Sequence, residues 1–378
     1  MLIGLFCESR LLLSALHVVE LGRAFLRYRN PLRRQSGRFQ VAFYDRIWRE
    51  SAAELGAQFT PLGGGISEIR LGSRRVRVFE NTCPIDDPVT LAIAGDKVLS
   101  YRMLEDEGLS TPRHAGFSLK TMATAVRFLE KSARDCVVKP ARGTGGGRGV
   151  TTGIRHRSHL ARAAAAASVY GDELLIEEQM EGDNYRLLYL DGTLLDAFVR
   201  KPPSVVTDGR SNIRKLVTFA NTERLKHGAG ISQVLITIDF DMHRTLSKAG
   251  LSLRSVPPAG TEVILKTVVN ENRGTDNTTA IDRLCPHIVD AGARAAAAVG
   301  VRLAGVDIIT TDPSVPLEQS GGAILEVNTP PNYYYHYQKR DGVFPVATHV
   351  LRHLLGAWSE TSSMRKSEKS WVEEAFRQ

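Results

Sequence analysis

Lys139 and the glycines that follow it form the segment of this sequence best suited to binding phosphate groups. The segment reads VVKPARGTGGGRGV, and its glycines are Gly143, Gly145, Gly146, Gly147 and Gly149. Glycine has no side chain to hold a ligand away, so successive backbone N–H groups can approach anionic oxygens while lysine supplies a positive charge. The segment lacks the GxxxxGK[ST] order of a P-loop, and taken alone it also fits a mobile hairpin.

A second candidate group lies far along the chain and consists of oxygen ligands. Asp307 lies in the apolar run AGVDII, and Glu326 and Asn328 lie in the run AILEVN. The two-residue period of a strand puts Glu326 and Asn328 on one face. Two carboxylates and an amide oxygen suit Mg²⁺, although each acid alone also fits an ordinary surface residue. Together with the lysine and the glycines, they supply the charge neutralisation, metal bridge and phosphate positioning that phosphoryl transfer needs.

These segments resemble the ATP-grasp superfamily in order and spacing. VVKP and GTGGGRGV are followed by IEEQMEGDNYRLL and then by GVDII and ILEVN, and the resemblance covers residues 96–353. Within the superfamily, the sequence is most similar to the ATP-grasp region of cyanophycin synthetase, through EGDNYRLLYLDG, RKPPSVVTDGRSNI, LRSVPPAGTEV and TAIDR. The resemblance implies an ATP-grasp fold and a ligase that joins a carboxylate to an amine.

The resemblance also implies roles for basic residues. Lys97, in a GDK triplet, and Lys139 match the paired lysines that hold nucleotide phosphates, and residues 143–149, with Gly145, Gly146 and Gly147 at their centre, would close over them. Arg186 and Arg200 match positions that contact phosphate or acyl phosphate, where a guanidinium can bind an oxyanion with two N–H groups. Lys139 and Arg200 are the candidate catalytic residues. A surface lysine at Lys97, a strand-end lysine at Lys139 and structural salt bridges at the two arginines are the alternatives.

Other family positions concern the nucleoside and the substrates. Glu177, Glu178 and Met180 lie at the positions where members of the family form backbone hydrogen bonds with adenine. Met180 also fits a core position. The family usually places an acid for the ribose hydroxyls where this sequence has Asn184 beside Asp183. The Pro-Gly turn that the family has after ILEVN is replaced by TPPNYYYHYQKR, so Tyr333, Tyr334, Tyr335 and His336 either shape an acceptor pocket or pack beneath the metal site.

The reaction that the resemblance implies uses ATP and two Mg²⁺ ions, with Mn²⁺ as a substitute, held by Asp307, Glu326 and Asn328. A carboxylate attacks the γ-phosphorus, and the amine of a second amino acid or short peptide displaces phosphate from the acyl phosphate. No Mur-ligase-like domain follows, so we expect one ligation reaction. A phosphotransferase on the same scaffold and a catalytically idle nucleotide-binding protein are the alternatives.

The elements that must position these residues follow from local patterns. DCVVKP predicts a strand before the glycines, the alanine-rich HLARAAAAASVY predicts a helix after them, and AGVDIITTD, AILEVN and EVILKTVV predict further strands. Helices are predicted from Asp96, near residues 213–225 and near residues 245–250. This alternation indicates an α/β or α+β fold. We predict an N-terminal α/β domain (1–92), a small lobe (93–182), a catalytic lobe (183–357) and a polar tail (358–378).

The N-terminal residues are basic and show no chemistry of their own. MLIGLFC predicts a buried strand, residues 9–27 a helix, the stretch 28–40 with Pro31 and Gly37 a mobile loop, and residues 51–59 a helix leading into strands. The net charge of +8 attracts anions, but no RNP-like motif or Cys/His framework accompanies the early arginines, so no nucleic-acid partner is expected.

Charges and cysteines also bear on location. Glu8, Arg10 and Glu20 interrupt the apolar opening, which argues against a signal peptide or a membrane span. Four scattered cysteines favour a reducing compartment, so we predict a cytoplasmic protein with no membrane partner. A homo-oligomer is expected from related enzymes.

Overall fold

The computed structural model describes residues 9–29, 31–226 and 235–356. The helices are α1 (Arg10–Tyr28), α2 (Pro31–Glu54), α3 (Pro88–Ala94), α4 (Lys97–Asp106), α5 (Met122–Lys131), α6 (Arg157–Ala167), α7 (Ile213–Lys226), α8 (Phe240–Lys248), α9 (Pro286–Val299), α10 (Leu317–Ser320), α11 (Tyr334–Tyr337) and α12 (Val346–Leu354). Short 3₁₀ turns occur at Leu119–Thr121, Val269–Glu271, Gly274–Asp276 and Ile281–Arg283.

The strands form four antiparallel sheets within the described residues. They are β1 (Gln58–Gly63), β2 (Ile66–Leu71), β3 (Arg74–Phe79), β4 (His114–Phe117), β5 (Cys136–Pro140), β6 (Thr151–Ile154), β7 (Leu174–Glu178), β8 (Asp183–Leu190), β9 (Thr193–Arg200), β10 (Ser204–Val206), β11 (Glu262–Ile264), β12 (Thr278–Thr279), β13 (Leu303–Thr310) and β14 (Ala323–Asn328). Their orders are β1-β2-β3, β10-β11, β4-β7-β5-β6 and β12-β9-β8-β13-β14. The last two sheets carry the candidate site.

The five-stranded sheet is buried on both faces. Leu187 and Tyr189 of β8 pack with α9 in one core, whereas the alternate residues Leu188 and Leu190 pack on the other side with the aromatic residues of α2. This explains why residues 187–190, LLYL, form a continuous apolar run rather than an alternating one. A sheet held from both sides provides a rigid base for the polar residues at its strand ends.

The four-stranded sheet has its own core beneath helices α5 and α6. The alanines of α6 are buried, and their small side chains allow α1 to pack closely against this helix. Leu13 of α1 is part of the same core, and His17 Nδ1 lies 2.7 Å from Ser168 Oγ. The division of the chain into domains remains a prediction, but the N-terminal residues contribute to the cores of both large sheets.

The loop predicted for residues 28–40 is wrong, because α2 runs from Pro31 to Glu54. Proline is tolerated in the first turn of a helix, where its missing N–H has no partner to lose. The interior Gly37 costs about 1 kcal/mol relative to alanine. Burial of Phe43, Ile47 and Trp48 in the core offsets that cost.

Most of the other predicted elements are confirmed, with changes at their ends. The predicted helix at residues 51–59 is the end of α2, followed by β1, and the strand predicted from EVILKTVV is limited to Glu262–Ile264. Helix α8 begins before the predicted position because Asp239 caps it, accepting a hydrogen bond from the Met242 N–H. The strand predicted at residues 1–7 and the tail 358–378 lie outside the described residues. No helix in the described part of the chain is long and apolar enough to cross a membrane.

Candidate active site

Lys139 lies at the end of β5 inside a buried polar cluster. Its Nζ is 2.8 Å from Glu177 Oε2 on the paired strand β7 and 3.1 Å from the Tyr101 hydroxyl. The same hydroxyl is 2.9 Å from Glu177 Oε2 and 2.8 Å from the Leu325 carbonyl oxygen. Burial, and then the charge of Glu177, raises the pKa of Tyr101 well above its ordinary value, so the phenol stays protonated. The lysine is only 6% exposed, and its contacts with Glu177 and Tyr101 fix the position of its ammonium group.

Lys97 is the first residue of α4 and is buried rather than on the surface. Asp96 begins this helix by accepting hydrogen bonds from the N–H groups of Val98 and Leu99, and this cap fixes the position of Lys97. Lys97 Nζ lies 2.9 Å from Glu326 Oε1. Burial alone would lower the pKa of Lys97, but the attraction of Glu326, together with that of Glu177 and Asp96, outweighs it and the pKa is raised.

Three neighbouring strands align the acidic residues with an arginine. Strand register pairs Arg186 of β8 with Asp307 of β13, and Asp307 with Glu326 of β14. Arg186 donates two hydrogen bonds to Asp307, from Nε to Oδ1 at 2.6 Å and from Nη2 to Oδ2 at 2.8 Å. Asn328 Nδ2 lies 3.3 Å from Asp307 Oδ2. The three predicted oxygen ligands therefore lie close together. Asp307, one of the three, forms a salt bridge with Arg186, as the alternative interpretation of that arginine predicts.

Glu326 is ionised in this arrangement. Burial would raise its pKa, but the positive charges of Lys97, Lys139 and Arg186 lower it to about 2. A metal ion binds the ionised form of a carboxyl group, and the surrounding cations stabilise this form of Glu326.

Arg200 is a buried cation with unused hydrogen-bonding capacity. The residue is 4% exposed, its Nη1 lies 3.6 Å from Asp307 Oδ1, and its guanidinium is 5.3 Å from the centre of the Tyr335 ring. Among the described residues its Nε has no hydrogen-bond partner. Burial lowers the pKa of Arg200. A buried donor without an acceptor is costly, and an oxyanion would satisfy it.

Gly305 leaves the space that the Arg186 side chain occupies. A Cβ at this position would lie 2.7 Å from Arg186 Nη1 and 3.1 Å from Pro331 Cβ. We therefore expect Gly305→Ala to lower the free energy of unfolding by about 1–3 kcal/mol, the usual cost of overpacking. Denaturation midpoints in urea would measure this effect. Gly171→Ala is the control, since a Cβ there meets nothing within 4 Å, and equal losses in the two variants would contradict the prediction.

The glycine-rich loop packs against residues 267–270. Gly147 has a φ of +71°, and a Cβ there would lie 2.7 Å from Val268 Cγ1 and 3.2 Å from Asn270 Nδ2. Only glycine fits both this backbone conformation and this contact. The loop and residues 267–270 therefore form one side of the space above the two lysines.

All predicted site residues line one of two adjoining cavities. The main cleft, between the two large sheets, includes Lys97, Lys139, Gly146, Gly147, Glu177, Glu178, Met180, Asn184, Arg200, Asp307 and Glu326. The distal cavity, beyond the Lys97–Glu326 pair, includes Gly145, Arg186 and Asn328. The two cavities share Lys97, Thr144, Gly146, Arg200, Asn270 and Glu326, so they meet at the cationic end of the cleft.

The tyrosine-rich segment after β14 is largely core. Tyr333, Tyr334 and His336 are buried, and His336 Nδ1 lies 2.7 Å from Asp196 Oδ2. Tyr335 lines the distal cavity, and its hydroxyl donates to the Asn270 carbonyl oxygen at 2.7 Å. Tyr333, Tyr334 and His336 are therefore core residues, whereas Tyr335 lies beside the distal cavity.

Sequence reasoning missed several residues of the site. Tyr101 could have been found, because it lies one helical turn after Lys97 and therefore shares its face of α4. Thr267 and Asn270 line the main cleft without any local signal in their segment. Gln40 and Tyr44 of α2 line the distal cavity although they lie in the part of the chain that showed no chemistry.

Comparisons with known proteins agree with this geometry. The chain is 31% identical to cyanophycin synthetase from Trichormus variabilis over 254 residues, which are 66% of this chain and 28% of that protein. It is 25% identical to a glutathione biosynthesis bifunctional protein from Desulfotalea psychrophila over 269 residues, 70% of this chain and 34% of that protein. A bifunctional glutathione synthetase from Pasteurella multocida has a similar structure, with a TM-score of 0.51, 23% identity and coverage of 80% of this chain and 42% of that one.

This chain has the ATP-grasp fold and is related to cyanophycin synthetase. The predicted fold class is therefore confirmed. The chain spans less than a third of the length of the cyanophycin synthetase that it matches, and no protein-family model matches it.

Proposed function

We propose that this protein is an ATP-dependent ligase that joins a carboxylate to an amine through an acyl phosphate and acts on amino acids or short peptides. The observation that carries the proposal is the meeting of Lys97, Lys139 and Arg200 with Asp307 and Glu326 around one cleft. The relatives are named for cyanophycin and glutathione synthesis, and they support the same class of reaction.

The nucleotide would lie in the main cleft with its phosphates toward Lys97 and Lys139. The backbone of the glycine-rich loop would cover the phosphates, and the segment from Glu177 to Met180 would meet the adenine. The side chains of Glu177 and Glu178 are already engaged with Lys139 and Arg113. The N–H groups of Glu178 and Gln179 donate to backbone carbonyl oxygens, so the base would meet the backbone near Met180. Asn184 lines the cleft where the ribose would lie.

A pair of magnesium ions would be held by Asp307, Glu326 and Asn328, and manganese would replace them. In the described residues no group of three His, Cys, Asp or Glu side chains could hold a metal by itself. The two carboxylates and the amide fit an ion that also takes phosphate oxygens and water as ligands. When bound, magnesium would neutralise and orient the phosphate oxygens.

The reaction itself would need no protein nucleophile. A carboxylate oxygen of the substrate attacks the γ-phosphorus, and the bond from phosphorus to the ADP oxygen breaks. The amine nitrogen then attacks the acyl carbon, phosphate leaves, and the nitrogen loses a proton. Lys139, Lys97 and Arg200 would stabilise the charge on the transferring group because they are already fixed in a buried site.

The Lys97–Glu326 ion pair should oppose metal binding when no nucleotide is present. A cation that reaches Glu326 alone must displace the ammonium, whereas nucleotide phosphates would give Lys97 another partner. We expect Lys97→Met to raise the affinity of the nucleotide-free protein for Mn²⁺ about fivefold, because a pair worth on the order of 1 kcal/mol no longer has to be broken. Electron paramagnetic resonance of free Mn²⁺ would measure this. Lys131→Met, at an exposed position, is the control, and an unchanged affinity in Lys97→Met would contradict the exchange.

A product analysis would test the proposed function. The protein would be incubated with ATP, Mg²⁺ and a panel of amino acids and dipeptides, with release of ADP and phosphate followed and products identified by mass. The ligase predicts ADP, phosphate and an amide. Release of AMP would contradict the acyl phosphate, a stable phosphorylated product without an amine would indicate a phosphotransferase, and nucleotide binding without turnover would indicate an idle binder.

A further inference from the structure

The distal cavity opens beside the phosphate-binding end of the main cleft. Arg200 and Glu326 line both cavities, so a molecule in the distal cavity would present one end to the nucleotide's terminal phosphate. Arg200 Nε has no hydrogen-bond partner among the described residues, and its side chain is buried at this junction. A guanidinium with a spare N–H is well suited to a carboxylate.

The outer wall of this cavity comes from the N-terminal part of the chain. Gln40 and Tyr44 of α2 and Asn81 after β3 line it. These residues precede the stretch 96–353, which contains the motifs that carry the sequence resemblance. The wall therefore belongs to this chain's own N-terminal segment.

Hydrogen bonds hold the wall in place. Asn81 Nδ2 donates to the carbonyl oxygens of Pro330 and Pro331, at 3.1 and 3.2 Å, in the loop that follows Asn328. Gln40 Nε2 donates to Glu80 Oε2 at 2.6 Å, and the Tyr44 hydroxyl lies 3.4 Å from Asn332 Oδ1. The N-terminal wall is thus tied to the strand end that carries the proposed metal ligands.

Charge is unevenly distributed around the distal cavity. Within the described residues, the charged side chains that line it are Lys97, Arg186, Arg200 and Glu326, and all but Arg186 also line the main cleft. Gln40, Tyr44, Asn81, Thr329 and Asn332 on the other sides are neutral and polar. The carboxylates behind this wall, Glu80 and Asp86, accept hydrogen bonds from Gln40 and Thr329. A charged ligand group at this end would lose water without gaining a direct counterion, which is unfavourable.

We propose that the distal cavity receives the substrate whose carboxylate is activated, with that carboxylate on Arg200, and that it selects acids with an uncharged polar side chain through Gln40 and Tyr44. This inference rests on the ligase function proposed above. It adds which part of the substrate is recognised and which residues recognise it.

A hydroxylamine trap tests the selectivity without knowledge of the amine substrate. Hydroxylamine attacks an acyl phosphate at its carbonyl carbon, releasing phosphate and leaving a hydroxamate that can be measured with iron. The full chain would be given ATP, Mg²⁺, hydroxylamine and one acid at a time: asparagine, glutamine, serine and threonine in one set, and aspartate, glutamate, lysine and arginine in the other. We expect hydroxamate formation from the best neutral acid to exceed that from every charged acid at least tenfold.

Variants of the wall test the residues. Gln40→Ala and Tyr44→Phe should each raise the KM for the best acid about fivefold, as expected for one lost hydrogen bond, while the KM for ATP changes less than twofold. Glu50→Gln is the control because this residue lies on the same helix and is exposed. A purely structural role would change both KM values together.

The outcomes separate the inference from the function on which it rests. Preference for a charged acid, or an unchanged KM for the acid in both wall variants, would overturn the inference and leave the ligase intact. Absence of hydroxamate and phosphate release with all eight acids would overturn the inference, and the product analysis above, whose panel includes dipeptides, would decide separately whether the ligase function stands.

Discussion

Glu326→Gln should reduce ATP turnover on the order of a thousandfold while nucleotide binding persists. Glutamine keeps the shape of the side chain but removes the negative charge that would hold a metal ion against the phosphates. Loss of a Lewis acid worth several kcal/mol of transition-state stabilisation corresponds to a change of this size. Phosphate release measures turnover, and equilibrium binding of a fluorescent ADP analogue measures the nucleotide affinity.

The structure also predicts the direction of the change in ADP affinity when no metal is present. In the wild type Lys97 Nζ is 2.9 Å from Glu326 Oε1, whereas a glutamine would hold this lysine less strongly. ADP should therefore bind Glu326→Gln as tightly as wild type or more tightly. Glu318→Gln, at an exposed position on α10, is the matched control. Near-normal turnover in Glu326→Gln would refute the role assigned to this carboxylate.

Arg200→Met should abolish most of the activity without destabilising the fold. The guanidinium is positioned for developing negative charge, and loss of one such preorganised donor costs about a hundred- to a thousandfold in rate. Its burial in the folded protein is unfavourable, because Nε has no partner in the described residues and burial lowers the pKa of the group. Asp307 would keep its two hydrogen bonds from Arg186, so removal of Arg200 leaves no buried carboxylate unpaired.

Thermal denaturation and steady-state kinetics together check this prediction. We expect an unchanged or higher melting temperature, since an apolar side chain of similar size often replaces a buried charge without loss of stability. Arg210→Met, at an exposed position, should change neither quantity. A strongly lowered melting temperature in Arg200→Met would show that the arginine is mainly structural.

Local sequence patterns were sufficient for the strands and helices that carry the chemistry. The segment DCVVKP predicts a strand with Lys139 at its end, and β5 runs from Cys136 to Pro140. Glu326 and Asn328 were placed on one face by the two-residue period, and both line the distal cavity. The prediction failed for residues 28–40, where proline and glycine suggested a loop. Packing of the aromatic residues of α2 against the five-stranded sheet outweighed that local signal.

The sequence by itself determined which residues could bind phosphate or metal and on which elements they lie, because those properties depend on residue type and short-range periodicity. Only the tertiary structure decided which charges neutralise one another. The pairing of Arg186 with Asp307 and of Lys97 with Glu326, and the placement of Gln40 and Tyr44 beside them, depend on strand register and helix packing between segments far apart in the chain. Periodicity states which face of a strand a side chain occupies, but the neighbour on that face is selected by the burial of whole sheets and helices.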